Sequence, residues 1–117
     1  MRLWIMVAGP YTSGTTDAAK RAANLRALNH AALALFRKGH IPVIGVNLAL
    51  PIIEAAGVEA FHEILMPLSL SLSKRCDACL RIGGPSRGAD EEVERFLANG
   101  RPVYYRVEDI PPPRLNG

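Results

Sequence analysis

Aromatic side chains are scarce, 6% of the chain, and the 14 lysines and arginines never run more than two together. A nucleic-acid stripe needs clustered cations interleaved with aromatics, so no nucleic-acid polymer is expected as a partner. The formal net charge of +3 reads as a solvated surface compatible with a phosphate-bearing ligand. Cysteine is limited to Cys76 and Cys79, too few for a disulfide framework, and a reducing, cytoplasmic setting is expected. Long hydrophobic runs are also missing. The most apolar stretch, 41–61, is broken by Pro42, Asn47, Pro51, Glu54 and Glu59, which excludes a membrane helix there. No membrane partner is expected. The apolar opening, 3–8, is short and has no secretory cleavage site behind it. The dinucleotide glycine fingerprint and the phosphate-loop lysine are absent. His30, His40 and His62 lack ligand spacing, so neither a metal nor a cofactor is expected.

What is present suits one domain over residues 1–117, with 49% hydrophobic content and no internal repeat or linker. Residues 3–8 form a continuous apolar run ended by Gly9-Pro10, as in a strand buried on both faces. Thr16 reads as the cap of a helix over 17–38. Ala18, Ala22, Leu25, Leu28, Ala32, Leu35 and Phe36 supply its apolar period, and Gly39 its stop. A second strand over 41–44 contains Pro42, which argues for a sheet edge. Residues 45–50 read as a loop, followed by helix over 52–56 and 58–74, with Gly57 and Pro67 as interruptions. A third strand over 78–82, a loop over 83–88, a helix over 89–98 and a fourth strand over 102–105 complete the pattern. The tail through Pro111-Pro112-Pro113 reads as extended and loose.

Strands alternating with helices predict an α/β fold: a three-layer, doubly wound parallel sheet of flavodoxin-like type, with four strands in the order 2-1-3-4. In that order the winding reverses between strands 1 and 3, and a crevice opens beyond their carboxyl ends. Those two strands are the ones followed by glycine-rich loops. In the first loop Gly9, Tyr11 and Thr12 offer small size, a hydroxyl and an aromatic. The second offers Ser86 as helix cap or phosphate donor, Arg87 as a cation, and close approach at its glycines, including Gly88.

The helix after the second loop places Ala89, Val93, Phe96 and Leu97 on a buried stripe, with Glu91 solvated and Glu92 at the margin, facing the crevice. Cys76 and Cys79, three apart at a strand start, are expected to point to opposite faces and to be structural. His30 is expected on the helix surface and His40 is expected to shape the turn after the first helix; His62 is within reach of the crevice, but a surface role is the expectation.

Several segments recur together: Ala8-Gly9-Pro10-Tyr11 after the first strand, Gly39-His40-Ile41-Pro42-Val43, Cys76-Asp77-Ala78, Ser86-Arg87-Gly88-Ala89-Asp90-Glu91-Glu92, and Gly100-Arg101-Pro102-Val103. Through these the chain resembles the nucleoside 2-deoxyribosyltransferase-like superfamily over nearly its whole length, in particular a bacterial and phage branch of it. The Ser-x-Gly-x-x-x-Glu spacing is the most specific part. The resemblance implies Glu92 as the nucleophile, Ser86 and Gly88 as holders of a 5′-phosphate, and Gly9, Tyr11 and Thr12 beneath the sugar and base. It also implies a homodimer or higher homo-oligomer.

One departure stands out. Several relatives carry an aspartate eight residues before the position of Asp77, to handle the departing base. Here that position is Ser69, and a serine is a poor general acid at neutral pH. Asp77 precedes the third strand, at the end of the sheet away from the crevice, and is expected to be structural. The expected function is cleavage or transfer at the N-glycosidic bond of a nucleoside or nucleoside 5′-monophosphate, by hydrolase or transferase chemistry through a glutamate. The alternatives are a non-catalytic nucleotide or phosphoribosyl-binding module, and an NAD-type glycohydrolase.

Overall fold

The computed structural model describes residues 2–12 and 15–113; Ser13 and Gly14 of the first glycine-rich loop, Met1, and residues 114–117 lie outside it. The apolar opening forms β1 (Trp4–Ala8). It lies between β2 (Ile41–Val43) and β3 (Ala78–Arg81), and β4 (Val103–Tyr104) adds to the far side of β3. All three pairings are parallel and the order is 2-1-3-4, with Pro42 on the edge strand opposite Ile5.

Side chains alternate across β1, so each face of the sheet has its own core. Ile5 and Val7 join Ala78 and Leu80 of β3 and pack on Leu28 and Leu35 of α1 (Ala18–Arg37). Met6 and Ala8 join Cys79 and pack on Ala89, Val93 and Phe96 of α4 (Arg87–Ala98). Helices α2 (Gly45–Ala56) and α3 (Phe61–Ser73) connect β2 to β3, with a 3₁₀ turn at Val58–Ala60 between them. The result is the three-layer α/β architecture of a flavodoxin-like fold. Among the described residues no helix is long and apolar enough to cross a membrane.

Several local expectations are corrected. Residues 45–50 are helix, not loop: Val46, Ala49 and Ile53 are buried at helical spacing, a period hidden by Gly45, Asn47 and Pro51. The cap of α1 is Asp17, whose carboxylate accepts from the Ala19 amide at 2.8 Å, and not Thr16. Helix α4 begins two residues earlier than expected, so Arg87 and Gly88 belong to its first turn. Leu97 and Phe36, placed on buried stripes by sequence, are 60% and 61% exposed. Cys76 and Cys79 share one core, because Cys76 stands in the turn before β3, where strand alternation does not apply. Both thiols are free and buried, as structural cysteines are.

The tail is docked as far as Pro113. Ile110 is buried in the first core, and His40 Nε2 donates to the Pro111 carbonyl at 2.8 Å while its Nδ1 accepts from the Leu3 amide at 3.1 Å. His40 therefore shapes more than its turn: one buried ring ties the starts of β1 and β2 to the end of the chain.

Candidate functional site

Beyond the carboxyl ends of β1 and β3 lies a cavity of about 360 Å³. Gly9, Tyr11, Thr12, Ser86, Arg87, Gly88 and Glu92, the residues singled out by sequence, all line it. Its size falls within the usual range for small-ligand sites.

Two loops converge there because their turns interlock. Gly83 has φ +78, and a β-carbon on it would meet the Pro10 ring at 2.7 Å. Only glycine takes that conformation against that ring without strain. Gly9 is equally constrained, since a β-carbon there would meet the Ile82 carbonyl at 2.9 Å. Ser86 caps α4, its hydroxyl accepting from the Ala89 amide at 3.2 Å. The helix start thus faces the cavity with Arg87 and Gly88 in its first turn, a suitable place for an anion.

Arg81 was not singled out by sequence, yet it holds the second loop in shape. Its guanidinium donates to the Ile82 carbonyl at 2.5 Å, the Gly84 carbonyl at 2.9 Å and the Asp90 carboxylate at 3.1 Å. The last contact is an ion pair between a nearly buried arginine and an exposed aspartate. Nothing in a strand-forming Ala-Cys-Leu-Arg segment signals this; the partners follow only once the loop folds back over the arginine.

Glu92 is 8% exposed and lies on the inner face of α4 beside Ala89, Val93 and Phe96. Among the described residues its carboxylate has no hydrogen-bond or ion-pair partner. Burial pushes its pKa up to about 7; the Arg81 guanidinium works in the opposite direction, and Glu91 adds to the rise. A carboxyl group of this kind exchanges a proton near neutral pH. The two cysteines nearby do not: burial lifts the Cys79 thiol to about 12 and the Cys76 thiol to about 11, with the Glu92 charge contributing to both. Both stay protonated, and neither is an active nucleophile at neutral pH.

The remaining wall comes from α3. Phe61 stacks on Tyr11, with ring centroids 6.2 Å apart and planes at 21°, and His62 meets Phe61 edge-on at 5.4 Å. His62 is exposed, as expected, and it is also one of the residues that line the cavity. Met66 backs Gly88, and Ser69 is buried in the same wall, close against Gly45 where a β-carbon would collide with its hydroxyl. Phe61 and Met66 escaped sequence reading because a helical apolar period does not say which turn of the helix reaches the crevice.

Asp77 is at the other end of the sheet. Its carboxylate accepts from the Trp4 amide at 2.8 Å, and its own amide donates to the Trp4 carbonyl at 2.7 Å, a structural clasp between β1 and β3. Among the described residues no group of three histidines, cysteines or acids is placed to hold a metal ion. The chain matches no known protein family and no curated protein.

Proposed function

We propose that the chain breaks the N-glycosidic bond of a nucleoside or nucleoside 5′-monophosphate, with Glu92 as nucleophile, and passes the sugar to water or to a second base. The observation that carries this reading is a buried carboxylate without a protein partner, set in a cavity between a helix start and a stacked aromatic pair. Breaking an N-glycosidic bond develops positive charge at the anomeric carbon, and an apolar-walled carboxylate attracts that charge far more strongly than one in water. As the base departs with the bonding electron pair, a Glu92 oxygen closes on the anomeric carbon to give a glycosyl ester. Water or a second base then attacks that carbon and frees the carboxylate.

The rest of the cavity is consistent with such a ligand. A flat base has the Tyr11–Phe61 pair to lie against, and a 5′-phosphate has the Ser86 hydroxyl, Arg87 and the amides of the first turn of α4. The free thiols of Cys76 and Cys79 fit a reducing compartment, and the proposal places the activity in the cytoplasm. A homodimer or larger assembly belongs to the same proposal.

The test is release of free base from a panel of nucleosides and nucleoside 5′-monophosphates at pH 8, where Glu92 is ionised. Wild type is expected to release base from at least one. Glu92→Gln is expected to lose about 10³-fold or more in kcat. Folded wild type that releases no base from any of them overturns the proposal.

A second reading, a non-catalytic nucleotide-binding module, is favoured by Ser69, which puts a hydroxyl and no acid on the cavity wall. It predicts that nucleotides raise the melting temperature by mass action with no turnover.

A further inference from the structure

We infer that His62 protonates the departing base, an inference that rests on the N-glycosidase reading of the cavity. Loss of a base from a sugar requires the bonding electron pair to settle on a ring nitrogen, and a proton delivered there lowers the barrier. Among the described residues four titratable side chains line the cavity: Tyr11, His62, Arg87 and Glu92. A guanidinium does not give up its proton in proteins, and phenol and serine hydroxyls hold theirs tightly near neutrality. Glu92 is engaged at the sugar. Imidazole is the side chain that passes a proton readily at neutral pH.

The placement of His62 fits this task. It stands in the first turn of α3 and ends the aromatic row Tyr11, Phe61, His62 along one wall, while Glu92 projects from α4, a different element. A base lying along that row presents its edge to the imidazole and its glycosidic bond toward α4. Among the described residues no hydrogen bond or ion pair holds the ring, so it is free to follow the ligand. Ser69, deeper in the wall and confined by Gly45, does not supply the proton.

The step balances without any further reagent. The anomeric C–N bond breaks and its electron pair goes to the base nitrogen. That pair delocalises through the ring, the imidazolium N–H proton moves to the edge nitrogen facing His62 (N7 of a purine), and a Glu92 oxygen forms the new bond to the anomeric carbon. In the second step the neutral imidazole takes a proton from the attacking water as the glycosyl ester breaks. Both side chains return to their starting states.

The experiment compares wild type, His62→Gln and His62→Ala on two matched substrates: a purine nucleoside or nucleotide that wild type turns over, and its N7-methylated form. The methylated base leaves as a neutral molecule with no proton added. On the ordinary purine both variants are expected to lose about 10²-fold or more in kcat, the usual worth of a general acid. On the methylated purine they are expected to stay within about threefold of wild type, because no proton transfer is needed. Melting curves check that the variants are folded. Equal losses on both substrates, or no loss on either, overturn the assignment of His62 while leaving the role of Glu92 standing. Wild type that cleaves neither substrate overturns the N-glycosidase reading and this inference with it.

Discussion

The two ends of the sheet treat polar side chains in opposite ways. At the amino ends of the strands His40, Asp77 and Arg101 are all engaged. His40 bridges Leu3 and Pro111, and Asp77 holds Trp4. Arg101 donates to the carbonyls of Ser73 at 2.5 Å and Cys76 at 2.6 Å while its guanidinium covers the Phe96 ring at 4.5 Å. At the carboxyl ends Glu92 and His62 have no such partner among the described residues, although Glu92 is buried. Glu92 is tolerated without a partner because it borders the cavity, and among the described residues no fully buried side-chain polar atom is left unsatisfied. The contrast lies in Glu92 and His62: His40, Asp77 and Arg101 hold strands together, and Arg81 and Ser86 hold the second loop, while these two side chains stay open toward the cavity.

The sharpest way to break this comparison is Glu92→Gln. Besides the loss of activity of about 10³-fold or more, it is expected to stabilise the fold at high pH. The folded chain holds the Glu92 proton up to about pH 7, against 4.5 for the free group, so folded protein binds more protons than unfolded between those values. Stability is therefore complete below about pH 4.5 and declines as pH rises through 7. The glutamine variant escapes that decline, with a gain of about 3 kcal/mol at pH 8 that vanishes near pH 4. Thermal melts at the two pH values check it; equal melting temperatures for both proteins at pH 8 would sink the contrast.

Next in size is His40→Ala. It strips partners from the Leu3 amide and the Pro111 carbonyl and opens space in the first core, so a loss of about 2–3 kcal/mol in urea unfolding is expected. Arg81→Met should act on both ends of the argument. Removing the guanidinium frees the second loop, at about 1–2 kcal/mol. It also raises the Glu92 pKa further, so the acidic limb of the pH–rate profile moves to higher pH. An unmoved limb would show that Arg81 acts on the loop alone. The smallest expected stability effect is at His62: alanine there should change stability by under about 0.5 kcal/mol, because the residue is exposed and, among the described residues, its ring makes no hydrogen bond or ion pair, only an edge-on contact with Phe61.

Much of this was readable in the chain itself, for definite reasons. The unbroken apolar run of β1, the proline in β2 and right-handed crossovers leave few strand orders; 2-1-3-4, the one expected, is the one found, and it locates the crevice. What escaped was set by tertiary contacts. On α4 the buried stripe centres between Glu92 and Val93, which brings the carboxylate inside and turns Leu97 out to solvent; hydrophobicity alone ranks the two the other way. Helix α2 was hidden because its helical period is written around a glycine, an asparagine and a proline. The tail looked unattached because its anchor, His40, lies 71 residues away in sequence. Arg81 finds its partners only after the loop has formed.

The Pro10 ring occupies the space where any side chain at position 83 would have to stand. Pro10 and Gly83 therefore stand in direct contact, and any larger residue at 83 would push these two positions apart at the rim of the cavity. Gly57, at φ +108, joins the helix pair α2 and α3 that forms the facing wall. The aromatic row is therefore split between two supports, Tyr11 on the first loop and Phe61 and His62 on α3.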